Sequence, residues 1–394
     1  MHILEIPSFF PPYGGLFCLD QSKALAFLGH DVRIIAHVQL SVKKSPRRYI
    51  LARTACRETE MGGITVWRKE MRGLPKCVRP NVRRWVRGVL RMFRHYVDVY
   101  GKPDVIHAHC VKWAGYAAYM ISKEHGVPFV ITEHLPKMIY AGEFGGGDAW
   151  QIAPLREALQ SAAMVIPVSA ELVDDLACYF GRGYRWTAIS NTIDTSFFAF
   201  RRREPRKNRP FRLCAIANFV PRKGYDVLFA AFSRFCERHP GAELTVAGAG
   251  TDGKECSRMM GSYPCAGRMR AAGELDKMGV RALLYWSDCL VLATRSESQG
   301  LVLLEAMSTG IRAIATSCVP RNARIDGGTI IVPVDDVDAM ADAMSAVYED
   351  VGFDGRPLSA ETDTMVSPAV IGKKIERVLA EAAGKAEAAA GGVG

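Results

Sequence analysis

Short apolar runs alternate with longer runs of helical period along the whole chain. In the first half the strand-type runs are His2–Ile6, Asp31–Ala36, Val105–His109, Phe129–Thr132, Val165–Val168 and Thr187–Ser190. Ile64–Arg68 is a further candidate, and a helix is expected over Asp20–Leu28. The same grammar restarts later. Leu213–Ala217, Glu243–Ala247, Cys289–Thr294, Arg312–Thr316 and Thr329–Val332 read as strands, and Tyr225–Arg238, Val337–Tyr348 and Pro368–Ala382 as helices. Strands that alternate with helices predict parallel sheets covered by helices, because a parallel connection needs a crossover. The fold class is therefore α/β, with two Rossmann-like domains. The basic, proline-containing stretch Phe198–Arg212 separates the two halves and is expected to hold the linker. The expected layout is an N-terminal domain over 1–200, a linker over 201–211 and a C-terminal domain over 212–366. A helix over 367–383 then packs back toward the N-terminal domain, and a low-complexity tail over 384–394 is disordered. Ligands of such folds lie beyond the carboxyl ends of the strands, here in a cleft between the domains.

Composition adds three constraints. A chain of 394 residues favours two cores over one. No apolar run is long enough to cross a bilayer, and Met1–Pro7 reads as a first strand, not a leader. Eleven cysteines without a C-x-x-C pair suit buried free thiols in a reducing compartment, hence a cytoplasmic protein. The net charge of +10 is concentrated: Lys43–Arg94 holds 16 Lys and Arg against 3 acids, or +13, which leaves −3 for the rest. Such localisation points to an anionic surface or substrate beside the first half. Within it, Val82–Val97 is amphipathic, with Val82, Trp85, Val86, Val89, Leu90, Met92, Phe93, Tyr96 and Val97 on one arc. Arg83, Arg84, Arg87, Arg91 and Arg94 fill the other arc. The plain reading is a helix packed on a sheet with solvated arginines; the sharper one is a membrane-facing surface for anionic lipid. No recognition fold accompanies the charge, so nucleic acid is not an expected partner.

Several segments carry candidate chemistry. In Arg295–Gly310 (RSESQGLVLLEAMSTG), a strand feeds a turn with Glu297 and Gly300, and then a helix with Glu305. Unpaired amides at the start of such a helix favour an anion. Asn218–Gly224 (NFVPRKG) follows the second domain's first strand and sets Arg222 and Lys223 beside a helix start, a phosphate-binding arrangement. Pro11–Gly15 (PPYGG) follows the first strand, and Gly14 and Gly15 allow close backbone approach. It lacks the dinucleotide fingerprint. In Asp104–His109 (DVIHAH) the histidines share a strand face; His109 is expected to reach the cleft and His107 to lie further in. Too few ligands converge for a metal, so none is expected. Asp336 and Asp338 fit a D-x-D pattern but are explained as helix-start residues.

Together these motifs resemble the retaining glycosyltransferases of family 4, which have the two-domain GT-B fold. The resemblance covers nearly the whole chain to about Tyr348 and is most specific in the two glutamates, Glu297 and Glu305, with seven residues between them. Supporting pieces are PPYGG, Gly29–Val32, Asp104–His109, Thr132–His134, Val168–Glu171, Asn191–Asp194 and Arg222–Gly224. The resemblance implies a nucleotide-sugar donor, with UDP or GDP as nucleotide, held by the second domain as substrate, and no separate cofactor. By that analogy Lys223 and the amides of Gly300, Leu301 and Val302 bind the diphosphate, with Arg222 and Asn218 nearby. Glu297 holds sugar hydroxyls, Glu305 the ribose, and backbone near Gly273 and Leu275 the base. His109 and Glu297 would be the catalytic residues, and Gly14 and Gly15 would line the acceptor side.

Two departures bear on the donor. Ala217–Asn218 stands where the family often has Gly-Arg, and Ser317–Asn322 replaces a glycine pair and an acid. The expected activity is transfer of a sugar to a lipid-linked or cell-surface glycan, as in polysaccharide biosynthesis, by a cytoplasmic, peripheral membrane enzyme. The alternatives are another GT-B enzyme, such as a nucleotide-sugar epimerase, and a degenerate protein that only binds glycan or nucleotide.

Overall fold

The computed structural model describes residues 1–43, 45–144, 149–203 and 209–385. The chain forms two compact units. One comprises Met1–Thr192 with the segment from Pro368, and the other Ile193–Ser367.

Unit 1 is built on a sheet of seven strands: β1 His2–Pro7, β2 Asp31–Leu40, β3 Arg57–Met61, β4 Ile64–Arg72, β5 Val105–His109, β6 Phe129–Glu133 and β7 Met164–Pro167. Their order is β3-β4-β2-β1-β5-β6-β7. All pairings are parallel except the β3–β4 hairpin, which turns at Gly62–Gly63, both with positive φ. Both faces of the sheet are buried, which is why its strands read as continuous apolar runs. Leu4, Ile6, Ile106, Ala108 and Ile131 face one core; Ile3, Val105, Val130 and Ile166 face the other.

The amphipathic segment forms the helix Val78–Tyr100. Its apolar arc (Val82, Trp85, Val86, Val89, Met92, Phe93 and Tyr96) is buried in the first of these cores. The arginine arc stays exposed. The apolar arc is thus spent on the fold and is not available to enter a bilayer. The helix is clamped to β2 in both directions: Trp85 Nε1 donates to the His37 carbonyl at 2.5 Å, and His37 Nδ1 donates to the Trp85 carbonyl at 3.0 Å. A Cβ on Gly88 would overlap the His37 ring, so only glycine permits this approach.

The second face is covered by the helices Leu16–Phe27 and Pro368–Ala382. Ile371, Ile375, Val378 and Leu379 join Ile3, Val105 and Val130 in one core. Gly372 lies against Ala24. Glu376 accepts from His30 Nε2 at 2.7 Å.

Unit 2 has six parallel strands: β8 Arg212–Ile216, β9 Glu243–Ala247, β10 Met269–Ala271, β11 Cys289–Leu292, β12 Arg312–Thr316 and β13 Thr329–Val332. Their order is β10-β9-β8-β11-β12-β13.

The structure differs from the sequence reading in several places. Thr187–Ser190 is not a strand. It runs beside β7 through the bonds Thr187 N to Val165 O and Ile189 N to Pro167 O, and forms only an isolated bridge at Trp186. After Gly250 a helix over Lys254–Gly261 leads to β10. A helix over Gly355–Val366 adds an element the apolar pattern does not mark. The chain passes between the units at Thr192–Ile193, ahead of the basic 201–211 stretch. Of that stretch, 204–208 lie outside the described residues. Arg203 belongs to unit 2, where it donates to the carbonyls of Leu284, Ser287 and Thr309 at helix ends. The tail expected over 384–394 lies outside the described residues from 386 onward. The eleven cysteines are free thiols, six of them buried.

Two predictions follow from the His37 clamp. Gly88→Ala should lower stability in chemical denaturation by about 1–3 kcal/mol, although alanine has the higher helix propensity. Burial holds the His37 imidazole at about 4, below its ordinary value of 6.5. A base that is harder to protonate in the folded state gives stability that is intact above about pH 6.5 and lost as pH falls toward 4. His37→Asn, which keeps a donor for the Trp85 carbonyl, should remove part of that acid slope in a pH series of melting temperatures.

Candidate active site

In each sheet the strand order reverses at one place. The first strand of unit 2, β8, is followed outward by β9 and β10 on one side, while β11, β12 and β13 extend the other. The reversal therefore lies between β8 and β11, the place where ligands of open parallel sheets characteristically bind. Asn218–Gly224 leaves β8 and Arg295–Gly300 leaves β11. The two loops are stitched by backbone and side-chain bonds. Arg295 N and Thr294 Oγ1 both donate to the Arg222 carbonyl, at 2.7 and 3.2 Å. Gly224 has φ +62° and sits so close to the Ala293 carbonyl that a Cβ would collide with it.

This stitching brings Lys223 and Glu297 together, with Nζ and Oε2 2.5 Å apart and about 11% and 13% of their side chains exposed. An ion pair this enclosed gains from reduced screening but is costly to separate without replacement partners. Ser298 N donates to Oε1 of the same carboxylate at 3.1 Å. Arg295, in contrast, is a clamp: Asp226 and Asp335 hold its guanidinium at 2.7 and 2.6 Å, and it donates to the Pro221 carbonyl. Arg222 reaches the Ser296 carbonyl at 3.4 Å. Asn218 is exposed at the exit of β8.

Gly300, with φ +85°, caps the helix Leu301–Ser308, and no side chain closes that helix start. Leu301, Val302 and Glu305 are the half-buried positions of a helix otherwise buried. Helical spacing puts these three on one face, so Glu305 shares the side on which the helix start opens. Gly273 is more committed than the sequence reading supposed. Its amide donates to Thr251 Oγ1 and its carbonyl accepts from Gly248 N, so its backbone is occupied within the protein. Leu275 is half-buried and packs in the core under this edge. The Ser317–Asn322 loop is held by Arg324, which donates to the Ser317 and Val319 carbonyls. Cys318 Sγ lies 3.1 Å from the Thr294 carbonyl. Asp336 caps the helix Val337–Glu349 through Ala339 N, in line with the helix-start reading.

In unit 1 the reversal lies between β1 and β5. Register pairs Glu5 with His107 and Pro7 with His109, so Glu5, His107 and His109 share one sheet face. His109 does not reach an open surface as the strand-tip reading expected; it is fully buried, as are Glu5 and His107. The reason is the carboxylate on the neighbouring strand. His109 Nε2 is 2.6 Å from Glu5 Oε2, and His107 Nδ1 is 3.1 Å from the same carboxylate. His107 Nε2 meets Thr132 Oγ1 at 2.6 Å. Burial pushes the Glu5 carboxyl up, but the two imidazoles outweigh it and hold it at about 2. The ligand atoms of Glu5, His107 and His109 are close enough to hold a metal ion, yet hydrogen bonds among these groups account for the arrangement.

His134 lies next in this chain, its Nε2 3.2 Å from His109 Nδ1 and its ring stacked on Phe17 at 3.7 Å. Phe17 follows the Gly14–Gly15 turn. Gly14 is exposed with nothing near its Cβ direction, whereas a Cβ on Gly15 would strike the Phe9 carbonyl. Glu133 organises the neighbouring loops and accepts from Val111 N, His134 N, Leu135 N and Tyr140 Oη. The sequence analysis gave Glu133 and His134 only as part of the supporting Thr132–His134 motif and passed over Glu5. The signal was present at Glu5, a carboxylate in the middle of the apolar run His2–Pro7, which demands a buried partner.

Comparison with known proteins agrees with this architecture. Residues 15–197 match the model for Glycosyltransferase Family 4, and residues 210–350 the model for Glycosyl transferases group 1. A glycogen synthase of Mycobacterium tuberculosis is 28% identical over 374 residues, covering 89% of this chain and 86% of that protein. A phosphatidyl-myo-inositol mannosyltransferase of Mycolicibacterium smegmatis is 35% identical over 133 residues, about a third of each chain. Among solved structures, a sucrose-phosphate synthase from Thermosynechococcus elongatus superposes with a TM-score of 0.78 at 16% identity, covering 97% of this chain and 99% of the other. Anabaena HepE, solved in complex with UDP and glucose, superposes with 0.73 at 16% identity, covering 97% and 100%. The fold is GT-B, and the chain belongs to glycosyltransferase family 4 and is a glycosyltransferase.

Proposed function

We propose that the enzyme is retaining and metal-independent, and that it moves a sugar from a UDP- or GDP-sugar to a lipid-linked or cell-surface glycan at an anionic membrane. The observation that carries the donor half is the Lys223–Glu297 pair at the strand reversal of unit 2, beside the open helix start at Gly300–Val302. Each member of the pair holds the other in place. An entering diphosphate supplies Lys223 with a new anionic partner, and Glu297 is released to accept hydrogen bonds from sugar hydroxyls. The pair thus exchanges one set of partners for another and leaves no enclosed charge unmatched.

Bond breaking at the sugar's anomeric carbon leaves negative charge on the diphosphate. Lys223, Arg222 and the amides of Leu301 and Val302 stabilise that charge as it develops, so the reading requires no metal. Glu305, one turn further along the same face, suits the ribose. For retention, the acceptor oxygen bonds to the anomeric carbon on the face the diphosphate leaves, and its proton passes to a leaving phosphate oxygen. Anabaena HepE, which shares the fold, was solved with UDP and glucose.

The acceptor half rests on unit 1. Arg83, Arg84, Arg87, Arg91 and Arg94 form an exposed row on one helix. At the end of that row Ile50 and Leu51 are 70% and 76% exposed, and Leu74 and Val78 are also exposed. Arg72 ties these pieces together by donating to the Tyr49 and Ile50 carbonyls, and Arg84 donates to the Arg72 carbonyl. Exposed aliphatic tips framed by arginines suit the surface of an anionic bilayer, at about 1 kcal/mol for each basic residue close to it. No helix among the described residues is long and apolar enough to cross a membrane, so attachment is peripheral and cytoplasmic in this reading.

Two experiments test the proposal. UDP or GDP at about 100 times its dissociation constant should stabilise the protein by about 2.7 kcal/mol in thermal shift. Lys223→Ala should abolish both that shift and turnover; an unchanged shift in the variant removes the donor site from this location, and a shift without any turnover of nucleotide sugar leaves a binding protein. Vesicles containing phosphatidylserine should retain the protein at low salt and release it as salt rises. Arg83→Glu, Arg87→Glu and Arg91→Glu together should prevent retention, and equal retention on neutral vesicles rejects the membrane half.

A further inference from the structure

One arginine of the basic segment Lys43–Arg94 is largely enclosed and has no carboxylate of its own. Arg68 stands on β4, and the next residue on the same sheet face is the buried Glu70. That carboxylate is already occupied. Arg48, on the short helix Pro46–Ile50, donates to Glu70 Oε1 through Nε and Nη2 at 2.9 and 2.7 Å. The Arg53 amide donates to Oε2 at 2.9 Å. Arg68 Nη2 comes only to 3.8 Å from Oε1, beyond hydrogen-bond range, and is buried without a partner among the described residues. The other two nitrogens of this guanidinium make no hydrogen bond among the described residues either, and they are not sealed from solvent; 19% of the side chain stays exposed.

The surroundings add donors, not acceptors. Arg48 is 38% exposed, holds Glu70 with two nitrogens and keeps Nη1 free among the described residues. Its guanidinium lies over the ring of Tyr13 at 5.8 Å, and Tyr13, from the glycine turn after β1, donates to Ser45 Oγ at 2.9 Å. Burial and the Arg48 cation pull the Arg68 guanidinium below its ordinary value, and Glu70 opposes them. Arginine does not leave such a place by losing its proton, so two cations share one carboxylate whose oxygens are both taken. The group that completes this cluster carries negative charge and several acceptor oxygens, which describes a phosphate. We propose that Arg68 and the free edge of Arg48 bind a phosphate ester on the acceptor, beside Tyr13, and that the acceptor is therefore a phosphorylated one. Ile50 and Leu51 follow Arg48 directly and are the exposed aliphatic tips of unit 1, so a phosphate carried by a lipid arrives beside this cluster. The acceptor role rests on the sugar-transfer reading; the anion site is a property of the protein alone.

The test is calorimetric titration of the full-length protein and of Arg68→Gln with two probes, glycerol 3-phosphate and water-soluble dihexanoylphosphatidylglycerol. Phosphate bound at Lys223 is common to both proteins and cancels in the comparison. Arg68→Gln should weaken binding of at least one probe about ten-fold or more and leave the affinity for UDP or GDP unchanged. Loss for glycerol 3-phosphate alone identifies a soluble phosphomonoester, and loss for the lipid probe identifies a lipid phosphodiester. Equal binding of both probes by the two proteins overturns the site. The free variant should melt no lower than the parent, because the substitution removes an unpartnered buried donor and a repelling cation. A lower melting temperature with unchanged probe binding makes Arg68 a structural partner of Glu70 and rejects the proposal. A second measurement needs no variant: phenylglyoxal should label Arg68 in the unsubstituted protein, and the bound probe should protect it, as read by peptide mass spectrometry. Labelling that neither probe slows overturns the site even if Arg68→Gln fails to fold. With a glycosylated acceptor in hand, Arg68→Gln should raise KM for that acceptor and not for the nucleotide sugar. If the probes bind as expected and no sugar transfer is found with any donor, the anion site stands and the sugar-transfer reading falls.

Discussion

The constraint on which the molecule depends is the reversal of strand order in each parallel sheet. A crossover helix covers every gap between successive strands except where the chain switches direction, and there the exit loops diverge. In unit 2 the reversal falls between β8 and β11, in unit 1 between β1 and β5. Each reversal holds a carboxylate bonded to a basic side chain. Lys223 and Glu297 occupy one, Glu5 and His109 the other. The two pairs differ in depth: the first retains some exposure, whereas the second is fully buried.

Much of this was legible in the sequence because burial on both faces of a parallel sheet writes itself as unbroken apolar runs. Eleven of the thirteen strands among the described residues sit where those runs predicted them. β3 is missing from that reading because Arg57–Met61 is an exposed antiparallel edge, and an edge strand has no core to record. β10 is three residues long, too short for periodicity to register. The unit boundary was misplaced because basic composition was taken for a linker. Arg203 shows why that signal misleads: its guanidinium closes helix ends, which is work inside a domain.

For the site, residues tied to a glycine turn and a helix start were readable, as at Lys223, Glu297 and Gly300. Groups whose role depends on the neighbouring strand were not. His109 looks like an exposed strand tip until β1 is laid beside it with Glu5 in register. The arginine helix is an intermediate case. Its amphipathicity was plain, but only packing decides that the apolar arc belongs to the core and that Ile50 and Leu51 are the exposed aliphatic groups nearby.

The helix Pro368–Ala382 covers a face of unit 1, yet it is separated in sequence from the rest of that unit by all of unit 2. On the ribosome this imposes an order of completion. Residues 1–192 emerge first with Ile3, Val105, Val130 and Ile166 lacking part of their cover, and must wait while some 175 residues of a second unit are made. The unit begun first is therefore finished last. Chaperone dependence during synthesis should concentrate on that one apolar face, and the separated fragment 1–192 would carry the same exposed surface permanently.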